Sequence, residues 1–247
     1  MIKIKSAEEI AIMRKAGAIT RETLLLMEKN VKPGVTTKQL DELAYNFIVK
    51  NKATPSFLNY GGFPATICAS VNEQVVHGIP NDEPLKEGDI VSIDVGACYK
   101  GYHGDSARTF AVGKISPEKQ KLIDVTKQSF FEGIKLLKDG VCLGDVSAAI
   151  QRYVEKHGFS VVRDLVGHGV GRELHEDPAV PNYGFAGFGP KIHKGTVLAI
   201  EPMVNMGTYH VNFSEFDGWT VTTKDGKPSA HYENTVLVTE DGVEILT

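Results

Sequence analysis

Apolar side chains recur every three or four residues in four stretches of the chain, and this spacing predicts four amphipathic helices. Two of the predicted starts carry a capping box, at residues 6–9 and 36–39. A third helix is expected to begin at Ser116, because Pro117 suits the first helical position. The expected core-facing positions are Ile12, Ala16, Ile19 and Thr23 in the first helix, Leu40, Leu43, Ala44, Phe47 and Ile48 in the second, and Ile123, Phe130, Ile134 and Leu137 in the helix after Ser116.

Two segments of the first half have counterparts in the second half. The stripe that begins at Leu40 reappears about 106 residues later as Val146, Ala149, Ile150, Tyr153 and Val154. The run Gly-Asp-Ile-Val-Ser-Ile-Asp at 88–94 matches Gly-Thr-Val-Leu-Ala-Ile-Glu at 195–201 in nearly the same register. These matches indicate an internal repeat, with halves at approximately 5–112 and 113–247.

The segments after the helices have the pattern of β-strands. The stretches 66–112 and 196–245 show no helical period between their strands, which favours antiparallel hairpins over parallel crossovers. We therefore expect a mixed α/β fold of the α+β type, in which each half contributes two helices and antiparallel strands. Because no linker or low-complexity segment separates the halves, residues 1–247 are expected to form one domain.

Composition excludes several classes of protein. The chain has 247 residues, of which 42% are hydrophobic and 23% charged, as in ordinary soluble proteins that need no disulfide to hold a core. A net charge of −4 without a Lys/Arg run argues against nucleic-acid binding. No apolar run approaches the ~18 residues of a membrane span, and the 3 cysteines lack a C-x-x-C spacing. We therefore expect a cytoplasmic protein without a membrane partner.

Asp94 and Asp105 flank a predicted turn at 99–101. In a symmetric hairpin they would lie directly opposite each other, with Cβ atoms about 5 Å apart. Like charges at that distance require that one carboxyl is protonated, that both are exposed, or that a cation lies between them. Exposure is the weakest explanation, since Asp94 ends an apolar run and its counterpart in the repeat is Glu201.

Two further residues complete a candidate metal site with these three carboxylates. Glu233 lies in the alternating strand 230–236, and His168 lies in Gly-His-Gly-Val-Gly, whose glycines are expected to uncover the imidazole. Each residue alone has an ordinary structural explanation. Together, four carboxylates and one imidazole would suit two divalent ions, and Mn, Fe(II) or Co fits this oxygen-rich set better than structural zinc.

The ordered set Asp94, Asp105, His168, Glu201 and Glu233 resembles the five metal ligands of the methionine aminopeptidases, in the short, type I form. The surrounding motifs Gly-Tyr-His-Gly-Asp, Ile-Glu-Pro-Met and Asp-Gly-Trp-Thr-Val agree, and the resemblance covers nearly the whole chain. It implies a pita-bread fold, in which two pseudo-symmetric halves enclose a dinuclear metal site. It also implies removal of the initiator methionine from nascent polypeptides whose second residue is small.

The same resemblance implies how the ligands divide between two ions. Asp94 would bind one ion, His168 and Glu201 the other, and Asp105 and Glu233 both. The ions would be Mn, Fe(II) or Co, with Zn as an alternative. The family also suggests a monomer that acts on chains emerging near the ribosomal exit tunnel.

Three residues are implied to take part in catalysis. Glu201 would accept a proton from water, His175 would donate to the developing oxyanion, and His77 would contact the scissile amide nitrogen. For the two histidines, the alternative is that they only orient the turns before Pro80 and Pro178.

The methionine pocket should be apolar, since a thioether packs well against aromatic ring edges. The candidates at positions that match the family are Tyr60, Phe63, Cys68, Met203 and Trp219, each of which could equally be core.

Four positions depart from the commoner family pattern. Phe57 stands where a smaller residue is expected and Leu174 where some members have Phe, while His231 and Asn234 replace a frequent Gln and His. These departures affect the expected pocket shape and the surroundings of Glu233, and none of them is a predicted ligand.

Two other functions remain open. One is a different hydrolase on the same fold, such as an aminopeptidase acting before proline or a creatinase-like enzyme. The other is a binding module without catalytic activity. The complete ligand set favours an enzyme, and the Asp-Gly-Trp element favours methionine specificity.

Overall fold

The computed structural model describes all residues from Met1 to Thr247. Its four α-helices are α1 (Ala7–Asn30), α2 (Thr37–Lys50), α3 (Pro117–Ile134) and α4 (Leu143–Lys156), and a short 3-10 turn covers Tyr60–Gly62. None of these helices combines the length and the apolar character that crossing a membrane requires. The strands of the first half are β1 (Thr54–Pro55), β2 (Ile67–Val71), β3 (Gln74–Val76), β4 (Ile90–Tyr99) and β5 (Tyr102–Ala111). Those of the second half are β6 (Val141–Cys142), β7 (Ser160–Val161), β8 (Gly167–Gly169), β9 (Glu176–Val180), β10 (Lys191–Ile192), β11 (Val197–Ile200), β12 (Met203–Asn205), β13 (Val211–Phe213), β14 (Val221–Thr223), β15 (Ser229–His231), β16 (Asn234–Val238) and β17 (Val243–Ile245).

The helix starts follow from local side-chain chemistry. Ser6 and Thr36 form complete capping boxes, and the Ser116 hydroxyl accepts a hydrogen bond from the N–H of Lys119, as predicted. The buried faces differ from the predicted stripes at several positions. Leu43 is 37% exposed, and Ile12 and Ile123 are only partly buried, because neighbours such as Met13 and Leu122 take the inner positions. Leu137 is fully buried but lies beyond the end of α3.

All strand pairs are antiparallel, which confirms the predicted hairpins and the α+β class. In the first half, β5 pairs along one edge of β4, and β2 and β1 pair one after the other along its opposite edge. Helices α1 and α2 pack on this sheet. In the second half, five strands have the order β17-β16-β11-β8-β9, and α3 and α4 pack on them. A small sheet with the order β13-β14-β3 joins strands from both halves.

The β4–β5 hairpin has a different register from the one predicted. Its turn consists of only two residues, Lys100 and Gly101, both with positive φ, and Tyr99 pairs with Tyr102. Asp94 therefore lies opposite Ala107 and Asp105 opposite Gly96, so the prediction that the two aspartates pair directly was wrong. They are diagonal neighbours on one face, because Gly96 follows Asp94 by two positions.

Helix α1 approaches this hairpin backbone to backbone. A Cβ added to Gly104 would lie 2.8 Å from both the N and the Cα of Gly17. The Thr20 hydroxyl donates to the carbonyl oxygen of Gly104 at 3.0 Å. The two glycines thus allow α1 to lie directly behind the hairpin that carries Asp94 and Asp105.

Replacing Gly104 by Ala should destabilise the protein by about 2 kcal/mol, since the added methyl overlaps backbone that cannot move aside. Urea unfolding measures the free-energy change. Gly242→Ala is the matched control, because a Cβ there meets no atom within 4 Å. Equal unfolding midpoints for the two variants would contradict the close contact.

Candidate metal centre and adjoining cavity

Asp94 and Asp105 enter the site from the β4–β5 hairpin. The position of Asp105 is fixed against the second half by Thr235 on β16. The backbone N–H of Asp105 donates to the Thr235 hydroxyl at 2.9 Å, and that hydroxyl donates back to the Asp105 carbonyl oxygen at 2.8 Å. The hairpin is thereby held at the boundary between the halves.

Glu233 lies in the chain between β15 and β16, and its backbone lies alongside β5. Its N–H donates to the carbonyl oxygen of Ala107 at 3.0 Å, and its own carbonyl oxygen accepts from the Ser106 hydroxyl at 2.6 Å. These bonds set the backbone from which the buried Glu233 side chain reaches the same cavity as Asp94 and Asp105.

His168 presents one bare nitrogen to the carboxylates. Its Nδ1 lies 2.9 Å from the carbonyl oxygen of Gly169, which assigns the ring proton to Nδ1. Its Nε2 lies 3.8 Å from Oδ2 of Asp105 and 3.6 Å from Oε1 of Glu201. Burial, with a smaller effect of His175, lowers the pKa of His168 to about 4. The ring is therefore neutral at pH 7, as a metal ligand must be.

The glycines around His168 serve strand packing. A Cβ on Gly167 would lie 2.4 Å from the carbonyl oxygen of Ala199, and one on Gly169 would lie 2.2 Å from that of Asp177. The expectation that these glycines mainly uncover the imidazole is corrected accordingly. They let β11 and β9 approach β8 closely enough to fix the position of His168.

The five predicted ligands come together and fit a divalent metal. One ligating atom each from Asp105, His168 and Glu233 all lie within 4.8 Å of one another. Oδ1 of Asp94, Oδ1 of Asp105 and Oε1 of Glu233 are buried without a hydrogen-bond partner. Burial, and after it the repulsion of neighbouring carboxylates, raises the pKa of these three groups and of Glu201 well above the ordinary range. Cations would satisfy the bare oxygens and favour the ionised carboxylates.

The four carboxylates and His168 line a cavity of about 140 Å³ together with apolar and aromatic side chains. A cavity of this order accommodates a benzene-sized group, so there is room for a small substrate group next to the carboxylates. The predicted pocket residues Tyr60, Phe63, Cys68 and Trp219 line it. Phe63 meets the Trp219 ring edge-on, with centroids 5.2 Å apart.

Met203 does not line this cavity. It is buried in a separate cluster with Val75, Val76, Val162 and Val221. Its strand, β12, turns it toward that cluster, so its assignment to the pocket is corrected. Two lining residues, Phe57 and Leu174, were noted from the sequence only as departures from a pattern. Comparison with the family pattern had already drawn attention to both positions, and this was the only sequence signal that they line the cavity.

His77, which follows β3, and His175, which precedes β9, line the same cavity. Nδ1 of His175 lies 2.8 Å from the Tyr60 hydroxyl, which leaves Nε2 available to a ligand, and the His175 and His168 ring centroids are 4.1 Å apart. His77 has a φ of 59°, a strained conformation for a residue other than glycine. Burial, and after it the charge of His175, lowers the pKa of His77 to about 4.

Sequence reasoning missed Arg108, a half-buried cation that holds the Glu233 segment. Its Nη1 donates to the carbonyl oxygens of Glu233 and Ala107, the latter at 2.7 Å, and its Nη2 donates to Oδ1 of Asn234 at 2.6 Å. The guanidinium also lies 4.1 Å from the centre of the Tyr232 ring. A single Arg in a strand has no sequence signal that distinguishes it from an exposed one.

Comparisons with known proteins agree with this geometry. The sequence model of metallopeptidase family M24 matches residues 11–240. The methionine aminopeptidase of Clostridium perfringens is 59% identical over 247 residues, which covers 100% of this chain and 99% of that protein. Methionine aminopeptidase 1 of Bacillus subtilis is 53% identical with the same coverage. The crystal structure of methionine aminopeptidase from Rickettsia prowazekii matches with a TM-score of 0.99 at 48% identity and covers 100% of both chains.

The chain therefore belongs to metallopeptidase family M24. Within that family, the full-length similarity to bacterial methionine aminopeptidases confirms the predicted resemblance to the type I form and the pita-bread fold.

Replacing Arg108 by Met should lower the free energy of unfolding by about 3 kcal/mol, because buried carbonyl and amide oxygens at Glu233 and Asn234 lose a charged donor. Arg108→Lys should recover part of this loss. Urea unfolding in the presence of chelator gives the values without a metal contribution. Arg21→Met, at an exposed position, should change stability by less than about 0.5 kcal/mol. A similarly small effect at Arg108 would contradict its structural role.

Proposed function

We propose that this chain is a methionine aminopeptidase, which removes N-terminal methionine from polypeptides by metal-dependent hydrolysis. One observation carries the proposal. Buried carboxylate oxygens without partners and the bare Nε2 of His168 converge in a cavity of about 140 Å³ that aromatic side chains also line. Groups suited to hydrolysis and aromatic side chains suited to an apolar substrate group therefore share one cavity.

Asp94, Asp105, His168, Glu201 and Glu233 would hold two divalent ions of Mn, Fe(II) or Co, with Zn as an alternative. The donor set of four carboxylates and one neutral imidazole supports these metals. When bound, the ions supply Lewis acidity, which brings the pKa of a water toward neutrality and polarises the scissile carbonyl.

Glu201 is proposed to accept the proton of the attacking water. Its backbone is fixed by Asn182, whose side-chain amide donates to the Glu201 carbonyl oxygen at 3.1 Å. Its side chain is 13% exposed, compared with 5% for that of Asp105, so it has better access to water. A carboxylate held in this way can pass the proton to the departing amine.

His175 and His77 are proposed to contact the scissile peptide. The Tyr60 hydroxyl bonded to Nδ1 of His175 orients the ring, so that Nε2–H can donate to the carbonyl oxygen as negative charge develops there. His77 would contact the scissile amide nitrogen from the other side of the cavity. The neutral state of both rings at pH 7 suits hydrogen bonding to an uncharged peptide.

The cavity is proposed to bind the methionine side chain. Its aromatic lining, with Trp219 edge-on to Phe63, suits a thioether. A small second residue is expected to be required because imidazoles and carboxylates surround the scissile bond closely.

The organisation and setting are part of the same proposal. Residues 1–247 would act as one catalytic domain, since Asp94 and Asp105 come from the first half and His168, Glu201 and Glu233 from the second. The enzyme would act as a cytoplasmic monomer on nascent chains near the ribosomal exit tunnel.

Peptide hydrolysis tests the activity. Chelator-treated protein should release methionine from Met-Ala-Ser, and not from Met-Leu-Ser, after addition of Mn, Fe(II), Co or Zn one at a time. Cleavage of Ala-Pro-Ser would instead identify a proline-directed enzyme. If no metal restores cleavage of any peptide, the chain is a binding module and the proposal is wrong.

Replacing His175 by Ala should lower kcat by about 100-fold, because a donor to the oxyanion is lost. Affinity for Mn, measured by calorimetry, should stay within about threefold of the wild-type value, since His175 is not a proposed ligand. His193→Ala is the control, because that ring is exposed and its ion-pair partner, Asp139, is not a proposed site residue. Unchanged turnover by His175→Ala would remove this residue from the mechanism.

A further inference from the structure

A second imidazole lies against Glu201. His231, the last residue of β15, is 1% exposed, and its Nε2 lies 3.6 Å from Oε2 of Glu201. Nε2 of His168 lies 3.6 Å from the other oxygen, Oε1. The Glu201 carboxylate is thus flanked by one imidazole on each oxygen, and only His168 belongs to the proposed ligand set.

The backbone of His231 keeps the ring beside Glu201. Its N–H donates to the Thr109 hydroxyl at 2.8 Å, and its carbonyl oxygen accepts from the same hydroxyl at 2.9 Å. His231 lies opposite Met203 in the β12–β15 pair. The N–H of Tyr232 donates to the carbonyl oxygen of Pro202, the residue that follows Glu201. Backbone contacts therefore join the segment that follows Glu201 to the segment that carries His231.

Neither ring nitrogen of His231 has a hydrogen-bond partner within the protein, although both are buried. Buried polar atoms are almost always paired, so an unpaired imidazole beside a carboxylate requires an explanation. Oε2 of Glu201 is an acceptor next to Nε2. A shift of about 0.6 Å by the Glu201 side chain brings the pair within hydrogen-bonding distance.

We propose that His231 is a positioning residue for Glu201. Its Nε2–H donates to Oε2 and so directs Oε1 toward His168 and the cation. The inference rests on the proposed function, because it assumes that Glu201 is a metal ligand. A donor that orients a ligating carboxylate typically contributes 10–100-fold to metal affinity or activity.

Three substitutions distinguish this role from its alternatives. The amide nitrogen of Gln in His231→Gln can occupy the place of Nε2, whereas that of Asn in His231→Asn can occupy only the place of Nδ1. His231→Leu keeps an apolar volume and has no donor. His210→Leu, at an exposed histidine, is the control for loss of an imidazole elsewhere.

The readouts are Mn affinity by calorimetry, the visible spectrum of the Co-loaded protein, and kcat and KM for Met-Ala-Ser. We expect His231→Leu and His231→Asn to lose about tenfold or more in Mn affinity, with a lower kcat and little change in KM. His231→Gln should stay within about threefold of wild type and keep the wild-type Co spectrum. The Gln and Asn variants differ by one methylene, so their comparison stands even if His231→Leu does not fold.

Three results would overturn the inference. Wild-type Mn affinity in folded His231→Leu would make the ring a space-filling residue. A loss in His231→Gln as large as in His231→Leu, with an altered Co spectrum, would make His231 a direct ligand. Equal Mn affinities of the Gln and Asn variants would contradict the assignment of Nε2 as the donor to Glu201. Failure of the proposed function is separate, because it would appear as a wild-type protein that releases no methionine with any metal.

Discussion

The repulsion among four carboxylates gathered inside the protein is the constraint on which the rest of the structure depends. Asp105 and Glu233 have ligating atoms within 4.8 Å of each other. Two unit charges about 5 Å apart repel by about 3 kcal/mol at an effective dielectric constant near 20. Several such pairs would use up the ~5–15 kcal/mol by which folded proteins are typically stable. Full ionisation of the cluster therefore requires cations, and without them some of the carboxyl groups keep their protons.

The fold holds these side chains together by joining its two halves at the site itself. Three hydroxyl groups connect β5 of the first half to the segment 231–235 of the second: Thr235 bonds to Asp105, Ser106 to Glu233, and Thr109 to His231. Each of these bonds involves a backbone group, so the ligand-bearing strands are fixed relative to one another. The positions of Asp105 and Glu233 are consequently set by bonds between the two halves.

The sequence was sufficient where structure is decided locally or by an ordered set of residues. Capping boxes fix helix starts because both partners lie within one turn, and Ser6 and Thr36 form them as predicted. Asp94, Asp105, His168, Glu201 and Glu233 were predicted together because their order resembles one family, and all five line one cavity. The hairpin register was missed because Lys100 adopts a positive φ, which is uncommon for lysine.

What the sequence could not supply depends on contacts between distant segments. Arg108 reaches the backbone of Glu233, 125 positions away, and nothing in its local sequence indicates that contact. Met203 matches a pocket position in the family pattern, yet its strand turns it toward a cluster with Val75 and Val221. Gly167 and Gly169 were predicted to uncover the imidazole of His168, and only the strand positions reveal the backbone that a side chain would meet.

The environment of Glu201 sets it apart from the other three carboxylates. Asp94, Asp105 and Glu233 each keep one buried oxygen without a hydrogen-bond partner. Glu201 has no such buried, unpartnered oxygen, and its side chain is 13% exposed. Two imidazoles flank it, one on each oxygen. A carboxylate that only anchors a cation gains from full burial, but one that exchanges a proton needs access to water and neighbours that keep its orientation during the exchange. The asymmetry of the cluster thus supports a division of work in which three carboxylates hold the cations and Glu201 also moves the proton.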